Sequence, residues 1–341
     1  MKMNHKTLGE AVQAYSAWIG SDPLLVQGAG GNASWKEKNV LWVKASGTWL
    51  KDALDQEIFV PVDLADLQSS IRENDFSHIP KVVGESTLRP SIETLLHGCM
   101  PQKVVLHLHA IEVLSMMVRS NYVSILSERL ADYGYRWAAV GYQKPGADLA
   151  KEVALTIKDD PSLEIILMAN HGVVIGGRSV DDVDQKLRAL CAALATDPIG
   201  RISCKQEIAS ASLGGGYFRV NDEGIEQLAI DARLFDRLEQ DWALYPDHVV
   251  FLGARPCLMH DKHAEIFDIS KSENSLEIIF CKNLGVFSRG KLSAAKLAQL
   301  RCYYDVLARQ KLGQELAVLS HQAVASLLDW DAEAYRQSIS K

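Results

Sequence analysis

The chain has 341 residues, of which 48% are hydrophobic and 23% are charged, and its formal net charge is -7. This composition is typical of a globular protein with one large or two ordinary domains, and the acidic balance without a basic stripe argues against a nucleic-acid partner. It does not exclude an anionic small substrate, because a local pocket can oppose the overall charge.

Cysteine usage and hydropathy predict the compartment. The six cysteines form no C-x-x-C pair and lie mostly in apolar runs, at positions 99, 191, 204, 257, 281 and 302. Such cysteines are expected to be free thiols of a reducing compartment. The N-terminus lacks the apolar core of a signal peptide, and no run of about 18 apolar residues predicts a transmembrane helix. We therefore expect a cytoplasmic protein without a membrane partner.

The first third of the chain predicts a helix, several strands and a glycine-rich turn. A helix is expected at 7–19 and strands at 24–26, 39–44 and 59–62, with an aperiodic polar stretch at 63–88. The turn that starts at Gly28 (GAGGNASWK) exposes backbone N–H groups suited to an anion, and a plain hairpin turn is the alternative. Its spacing matches the dinucleotide fingerprint, but that motif requires a following helix, and a strand is expected instead.

Two polar motifs precede the most informative strand. Ser46-Gly47-Thr48 ends the strand at 39–44 and is a second candidate anion cradle. Further on, RPSIETLLH at 89–97 predicts a helix start with Ser91 as N-cap. Glu93 would then lie in the first turn, where a carboxylate favourably opposes the helix dipole.

The segment KVVLHLHA at 103–110 carries the strongest chemical signal. Residues 104–106 predict a buried strand that ends in His107 and His109. Because alternate residues of a strand face the same side, the two imidazoles should point together while Leu108 faces the core. Two convergent imidazoles supply half of a zinc site, although a single histidine is more often a satisfied polar group.

The following elements offer a third ligand. Helices are expected at 110–118, 147–157 and 180–193, and strands at 135–140, 163–168 and 173–175. His171 lies between an asparagine and a glycine at a strand end, where a side chain can reach a cleft. A catalytic zinc takes three protein ligands and leaves one place open, so His107, His109 and His171 are the predicted set. His260 and His263 lie in a charged segment and are expected to be solvated.

The C-terminal third contains an internal repeat at an offset of 276 − 163 = 113 residues. LEIIxxxNHGV at 163–173 returns as LEIIxxxNLGV at 276–286, with Leu284 in the place of His171. The second copy keeps the packing positions and loses the ligand, which predicts a degenerate half-repeat that builds scaffold. With the glycines at 214–216 as boundary, we predict a domain at 1–213 and an extension at 217–341 that ends in a helical tail at 314–338.

Six motifs occur together in one order. They are GAGGNAS at 28–34, SGT at 46–48, PSIE at 90–93, HxHA at 107–110, YxxxG at 142–146 and NHG at 170–172. As a set they resemble the class II aldolase/adducin family, over about residues 7–195. Within the family, RPSIETLLH, PGADLAKEV, DHVVF and LGVFSRGK are most similar to the aldolase portion of the bifunctional rhamnulose-phosphate aldolase/dehydrogenases.

The resemblance implies a fold and a reaction. The fold would be an α/β/α sandwich around a largely antiparallel sheet, extended by the half-repeat. The reaction would be retro-aldol cleavage of a ketose phosphate or similar anionic sugar, such as a sugar acid, by a lyase that carries Zn2+ or another divalent metal on the three histidines. Glu93 would move protons, and Tyr142 would act from a neighbouring subunit on the aldehyde end, with a packed loop aromatic as its alternative. A homotetramer with sites at subunit interfaces is implied as well.

The resemblance also implies a phosphate pocket, with two departures from the family pattern. Its residues would be Gly28, Asn32, Ser46, Gly47 and Ser91, with Lys36 and Lys44 as added charge. Ala29 and Ile92 each stand where the family pattern has a hydroxyl. The alternatives are therefore another anionic group, or a phosphate held mostly by backbone N–H groups.

Two other functions stay open at this stage. A 4-epimerase of the ribulose-phosphate kind would use the same metal triad for retro-aldol cleavage and re-addition. An adducin-like interaction protein would keep the fold without chemistry, but we would expect it to lose the metal ligands that this chain retains.

Overall fold

The computed structural model describes residues 7–202, 212–214, 216–260 and 276–331. Cys204, Gly215, His263 and the end of the expected helical tail lie outside these ranges. The first part contains α1 (Leu8–Gly20), β1 (Asn32–Glu37), β2 (Val40–Lys44), a 3-10 turn (Leu50–Asp52), β3 (Phe59–Asp63), α2 (Leu64–Arg72), α3 (Thr94–Cys99), β4 (Val104–Leu108), α4 (Ile111–Met117), α5 (Tyr122–Arg129), β5 (Trp137–Val140), α6 (Ala147–Asp159), β6 (Ile165–Met168), β7 (Gly172–Gly177) and α7 (Val180–Leu194).

These elements build one seven-stranded sheet between two helical layers. The strand order is β3-β2-β1-β4-β7-β6-β5, and every pairing is antiparallel except that of β5 with β6. On the central strand β4, Leu106 and Leu108 pack with the layer of α1, α4 and α7, whereas Val105 packs with α3 and α6. The predicted α/β/α sandwich around a largely antiparallel sheet is thereby confirmed.

A second sheet and a helical cluster form the C-terminal part. Its elements are β8 (Ser212–Gly214), β9 (Tyr217–Arg219), α8 (Glu223–Ile230), α9 (Ala232–Phe235), α10 (Pro246–Leu252), β10 (Leu258–Met259), β11 (Ile278–Cys281), β12 (Gly285–Arg289), α11 (Ala294–Leu307) and α12 (His321–Leu328). The sheet order is β10-β11-β12-β9-β8. Ile111 and Leu114 of α4 share an apolar cluster with α10 and α11, so the two parts pack together through α4. The division at 214–216 stays a prediction.

The hairpin β11–β12 has the geometry of the hairpin β6–β7. Met168 pairs with Gly172 in the first, and Cys281 pairs with Gly285 in the second. The turn asparagines, Asn170 and Asn283, both adopt a positive φ, of 53° and 60°. Asparagine tolerates this left-handed conformation better than most residues, which explains why both copies place it there.

Three local predictions were wrong. Residues 24–26 form a turn, because the backbone N–H groups of Leu25 and Val26 both donate to Asp22 O. The stretch 63–88 contains α2, a nine-residue helix capped by the Asp63 carboxylate and too short to stand out in its polar surroundings. Ser91 is not the N-cap of α3, which begins two residues later with Glu93 as the capping position; the Ser91 hydroxyl accepts the Glu93 backbone N–H instead.

No disulfide joins the cysteines of the described ranges, and Cys281 and Cys302 among them are buried. None of the described helices has the length and apolar character needed to cross a bilayer.

His248 of α10 is a fully buried imidazole among aromatic rings. The ring centroids of Trp242 and Tyr303 lie 4.3 and 4.4 Å from its own, and neither ring nitrogen has a hydrogen-bond partner within the described part. Burial lowers the pKa of His248 to about 3, from an ordinary 6.5. The folded protein therefore holds this histidine neutral.

The buried His248 predicts an acid sensitivity that an aromatic substitution should reduce. Between pH 6.5 and 3, His248 is protonated in the unfolded chain but not in the folded chain. The free energy of unfolding therefore keeps its full value above this range and falls as the pH decreases through it. Between pH 7.5 and 5.0, the free energy of unfolding of His248→Phe should fall by about 2 kcal/mol less than that of the wild type. Urea unfolding at both pH values measures this difference. An unchanged pH dependence would contradict this.

Candidate metal centre

The three predicted histidines converge at one end of β4. His107 lies in the strand, His109 follows it, and His171 lies in the turn between β6 and β7. Antiparallel pairing of Leu108 with Val173 brings that turn against the end of β4. A Cβ atom on Gly172 would lie 2.3 Å from Leu108 O, so only glycine allows the β6–β7 turn to lie this close to the end of β4.

The imidazoles form a compact buried cluster. One ring nitrogen from each lies within 4.8 Å of the others, and the ring centroids are 4.9 to 5.2 Å apart. Whether these nitrogens suit a cation depends on where the rings carry their protons and where they present lone pairs.

Neighbouring acceptor atoms indicate where two of the rings carry their protons. The Nδ1 atom of His107 lies 3.1 Å from Val173 O, which can only accept, so the proton is on Nδ1. The Nδ1 atom of His109 lies 3.4 Å from Oδ2 of Asp247, a longer contact with a charged acceptor that favours a proton on this atom as well. The Nε2 atoms of His107 and His109 lie 3.2 Å apart, and with both protons on Nδ1 their lone pairs face each other. Nitrogen ligands of a tetrahedral zinc are roughly 3.3 Å apart, since Zn–N bonds are about 2.0–2.1 Å, so the residues fit a divalent cation.

Burial keeps the His107 ring in the form that binds a metal. Burial lowers the pKa of His107 well below its usual value, more than the nearby Glu93 carboxylate raises it. His97, on α3 behind the site, is also buried, and its pKa is lowered to about 3. Its Nδ1 atom bonds the Ser34 hydroxyl at 2.8 Å. Neutral imidazole is the metal-binding form of histidine.

The Glu93 carboxylate lies beside the three imidazoles, next to His107 and His171. Its Oε2 atom is 3.3 Å from Nε2 of His107, its Oε1 atom is 3.2 Å from Nε2 of His171, and Asn32 donates to Oε2 at 2.9 Å. Burial by itself raises the pKa of Glu93, but the surrounding imidazoles outweigh burial and hold the pKa below its usual range. The coordination position that the sequence predicted to be open therefore faces the Glu93 carboxylate.

A small cleft in front of the triad collects most of the predicted substrate-binding residues. It is lined by Ala29, Gly31, Asn32, Lys44, Ser46, Gly47, Ser91, Ile92, Glu93, His109, Pro145, His171, Tyr245, Pro246 and Asp247. Gly28 and Lys36 are not among them. The Lys36 ammonium donates instead to the backbone carbonyls of Met100 and Gln102, near the C-terminal end of β1.

Comparison with known proteins decides the family. The model of the class II aldolase and adducin N-terminal domain matches residues 10–197. The chain belongs to the class II aldolase and adducin family. The matched region contains all three histidines, Glu93 and both glycine turns of this class II aldolase-family chain.

The individual relatives match about half of this chain. The chain is 32% identical over 184 residues to the uncharacterized oxidoreductase YuxG of Bacillus subtilis (strain 168), a match that spans 49% of this chain and 26% of that protein. The N-terminal class II aldolase domain of a conserved protein from Thermoplasma acidophilum is 25% identical, with a TM-score of 0.48 over 57% of this chain and 95% of that one. A sugar-phosphate aldolase from Thermotoga maritima is 16% identical, with a TM-score of 0.44 over 55% and 91%. A closer relation to the rhamnulose-phosphate enzymes stays a prediction.

Tyr142, the predicted catalytic tyrosine of this family member, does not line the cleft of its own chain. Its ring packs against two of the apolar clusters, and its hydroxyl is buried without a hydrogen-bond partner in the described part. Burial, followed by the charge of Asp148, raises the pKa of Tyr142 to about 12. An action across a subunit interface stays a prediction.

Three residues of the cleft were not predicted from the sequence. Tyr245, Pro246 and Asp247 reach it from the start of α10, in the C-terminal part and outside the matched family domain. The tract DHVVF, which begins at Asp247, stood out only by its resemblance to relatives. No sequence spacing connects the DHVVF tract with the histidine strand. The sequence therefore could not show that this tract is part of the site.

Proposed function

We propose that this protein is a metal-dependent class II aldolase that cleaves a carbon–carbon bond of a ketose phosphate or a similar anionic sugar. The observation that supports it most is the convergence of His107, His109 and His171, in which the Nε2 atoms of the first two lie 3.2 Å apart. With both protons on Nδ1, the two Nε2 lone pairs face each other. Buried lone pairs in this arrangement repel unless a cation lies between them. We take zinc as the first candidate because its preferred ligand distances match.

The chain's own residues define how such a site would work. A divalent cation held by the three imidazoles supplies Lewis-acid polarisation of substrate oxygens. The Val173 carbonyl and the Asp247 carboxylate orient two of the rings, so the ligand nitrogens are placed in advance. The walls of the cleft are nearly closed, since the three histidines and Glu93 are each at most 7% exposed. A substrate bound here therefore loses most of its contact with water.

Glu93 is the group placed to move protons. Retro-aldol cleavage removes the proton of the hydroxyl beside the breaking bond, and the carbon that keeps the bonding electrons takes up a proton. A carboxylate held in its ionised form by Asn32 and the imidazoles can accept the first proton and return it. The side chain lines the cleft, so both positions are within its reach.

The opposite wall supplies the proposed anion site. Ser46, Gly47 and Ser91 line it, and the nearly buried Lys44 extends along it, with its ammonium on the carbonyls of Ala29 and Thr48 at 3.0 and 2.7 Å. Ala29 and Ile92 add no hydroxyl. We therefore propose that a phosphate or carboxylate is held by two serine hydroxyls, backbone N–H groups and the charge of Lys44.

Removing one hydroxyl should test this anion site. We expect Ser46→Ala to raise KM roughly tenfold or more for an anionic sugar and to change kcat little, because a hydrogen bond to a charged group contributes about 1.5–3 kcal/mol. The measurement is steady-state cleavage kinetics. Ser127→Ala, on the exposed face of α5, is the control. Equal KM values for wild type and Ser46→Ala would argue that the anion binds elsewhere.

A substrate screen tests the proposed reaction itself. The purified protein is incubated with ketose 1-phosphates and unphosphorylated sugar acids, with added zinc and with chelator. Aldolase activity would give products with a shorter carbon chain, and these products would not form in the presence of chelator. An isomer of unchanged mass would instead indicate a 4-epimerase, and protein that holds no metal when purified without added zinc would favour an adducin-like interaction role. Sedimentation of the same sample tests the proposed tetramer.

A further inference from the structure

The C-terminal part contributes a buried carboxylate to the metal cluster. Asp247, the second residue of α10, is 3% exposed, and its Oδ2 atom lies 3.4 Å from Nδ1 of His109. Building on the metal function proposed above, we propose that Asp247 is a positioning residue that holds His109 in the orientation and tautomer required of a metal ligand. The site of the family domain is then completed by a region outside that domain.

Asp247 is itself fixed from a third segment. Gln299 of α11 donates through Nε2 to Oδ2 of Asp247 at 3.2 Å and to the backbone carbonyl of Gln27 at 3.5 Å. Gln27 immediately precedes the first glycine turn. The carboxylate is therefore held by α11 on one side and faces the histidine on the other. An acceptor-only group fixed in this way selects the Nδ1-protonated ring and leaves Nε2 for the metal.

The backbone around this contact is shaped to admit the carboxylate. A Cβ atom built on Gly30 would lie 2.9 Å from the backbone carbonyl of Gln27, 3.0 Å from Oδ2 of Asp247 and 3.2 Å from Nδ1 of His109. Any larger residue at position 30 would press on both partners at once. The absence of a side chain there is thus a steric requirement of the contact between Asp247 and His109.

Among the three ligands, His109 depends most on the C-terminal part. His107 is oriented by a backbone carbonyl of the neighbouring strand β7, and Nδ1 of His171 has no hydrogen-bond partner in the described part. Loss of the carboxylate would therefore loosen one ligand of three and leave the others as they are. Removal of such an outer partner typically costs 10–100-fold in metal affinity.

The test uses the full chain carrying Asp247→Asn, a nearly isosteric change. Zinc affinity is measured by competition with a chromophoric chelator, and the cobalt-loaded protein is compared by its visible absorption spectrum. We expect a 10–100-fold weaker zinc affinity and an altered cobalt spectrum. Gly30→Ala, which displaces the same two groups from the other side, should weaken binding in the same direction and covers the case in which Asp247→Asn fails to fold.

Asp241→Asn is the matched control. Asp241 is a buried aspartate of the C-terminal part that pairs with Arg237 at 2.6 Å and does not line the cleft. Unchanged zinc affinity in Asp247→Asn, or an equal loss in Asp241→Asn, would overturn the positioning role while the proposed aldolase function stands. A wild-type protein that binds no divalent metal would instead overturn the proposed function, and this inference with it.

Discussion

Replacing His107 by alanine is expected to abolish both bound metal and carbon–carbon cleavage. His107 is fully buried at the centre of the triad, with its Nε2 atom 3.2 Å from that of His109 and 3.3 Å from the Glu93 carboxylate. The substitution leaves two imidazoles, which is fewer than the three protein ligands of a catalytic zinc site. Metal content after dialysis and turnover of the substrate found in the screen are the two measurements.

His260→Ala is the control for this prediction. His260 is exposed and contacts the ring of Phe235, remote in the chain from the triad. It should keep both metal and activity. Equal metal content in wild type and His107→Ala would remove the basis of the metal assignment, because no other cluster of three metal-ligating side chains occurs in the described ranges.

Replacing Glu93 by glutamine is expected to retain the metal and to lower kcat about 10²–10⁴-fold, the usual contribution of a general acid–base group. The amide has nearly the same shape and keeps an oxygen for Asn32, which bonds Oε2 of Glu93 at 2.9 Å. It cannot take up a proton at neutral pH. The measurements are metal content and single-turnover cleavage, which separate the chemical step from binding.

Glu112→Gln is the matched control for this second substitution. Glu112 is a partly buried carboxylate on α4 that pairs with Arg309 at 2.8 Å and does not line the cleft. It should leave turnover close to that of wild type. Full activity of Glu93→Gln would refute the proton-transfer role, whereas a simultaneous loss of metal would assign Glu93 to metal binding.

The sequence was sufficient for features that depend on short-range geometry. Alternation along β4 predicted that His107 would lie opposite the core residue Leu108, because side chains of a strand alternate strictly between its faces. The asparagine–glycine turn predicted where His171 would sit. The set of motifs resembled the class II aldolase/adducin family, and that resemblance implied the sandwich fold.

Tertiary structure decided which of these features meet. The antiparallel register of β4 with β7 brings His171 to the histidine pair, and the packing of α10 and α11 against α4 brings Asp247 to His109. Lys36 donates to backbone carbonyls between α3 and β4, away from the cleft, whereas Lys44 lines the cleft. Hydrophobic periodicity specifies the face that a segment buries but not the distant segment that covers it, because burial is non-directional. For that reason the ligand pair could be recognised in the sequence, while the carboxylate that supports it could not.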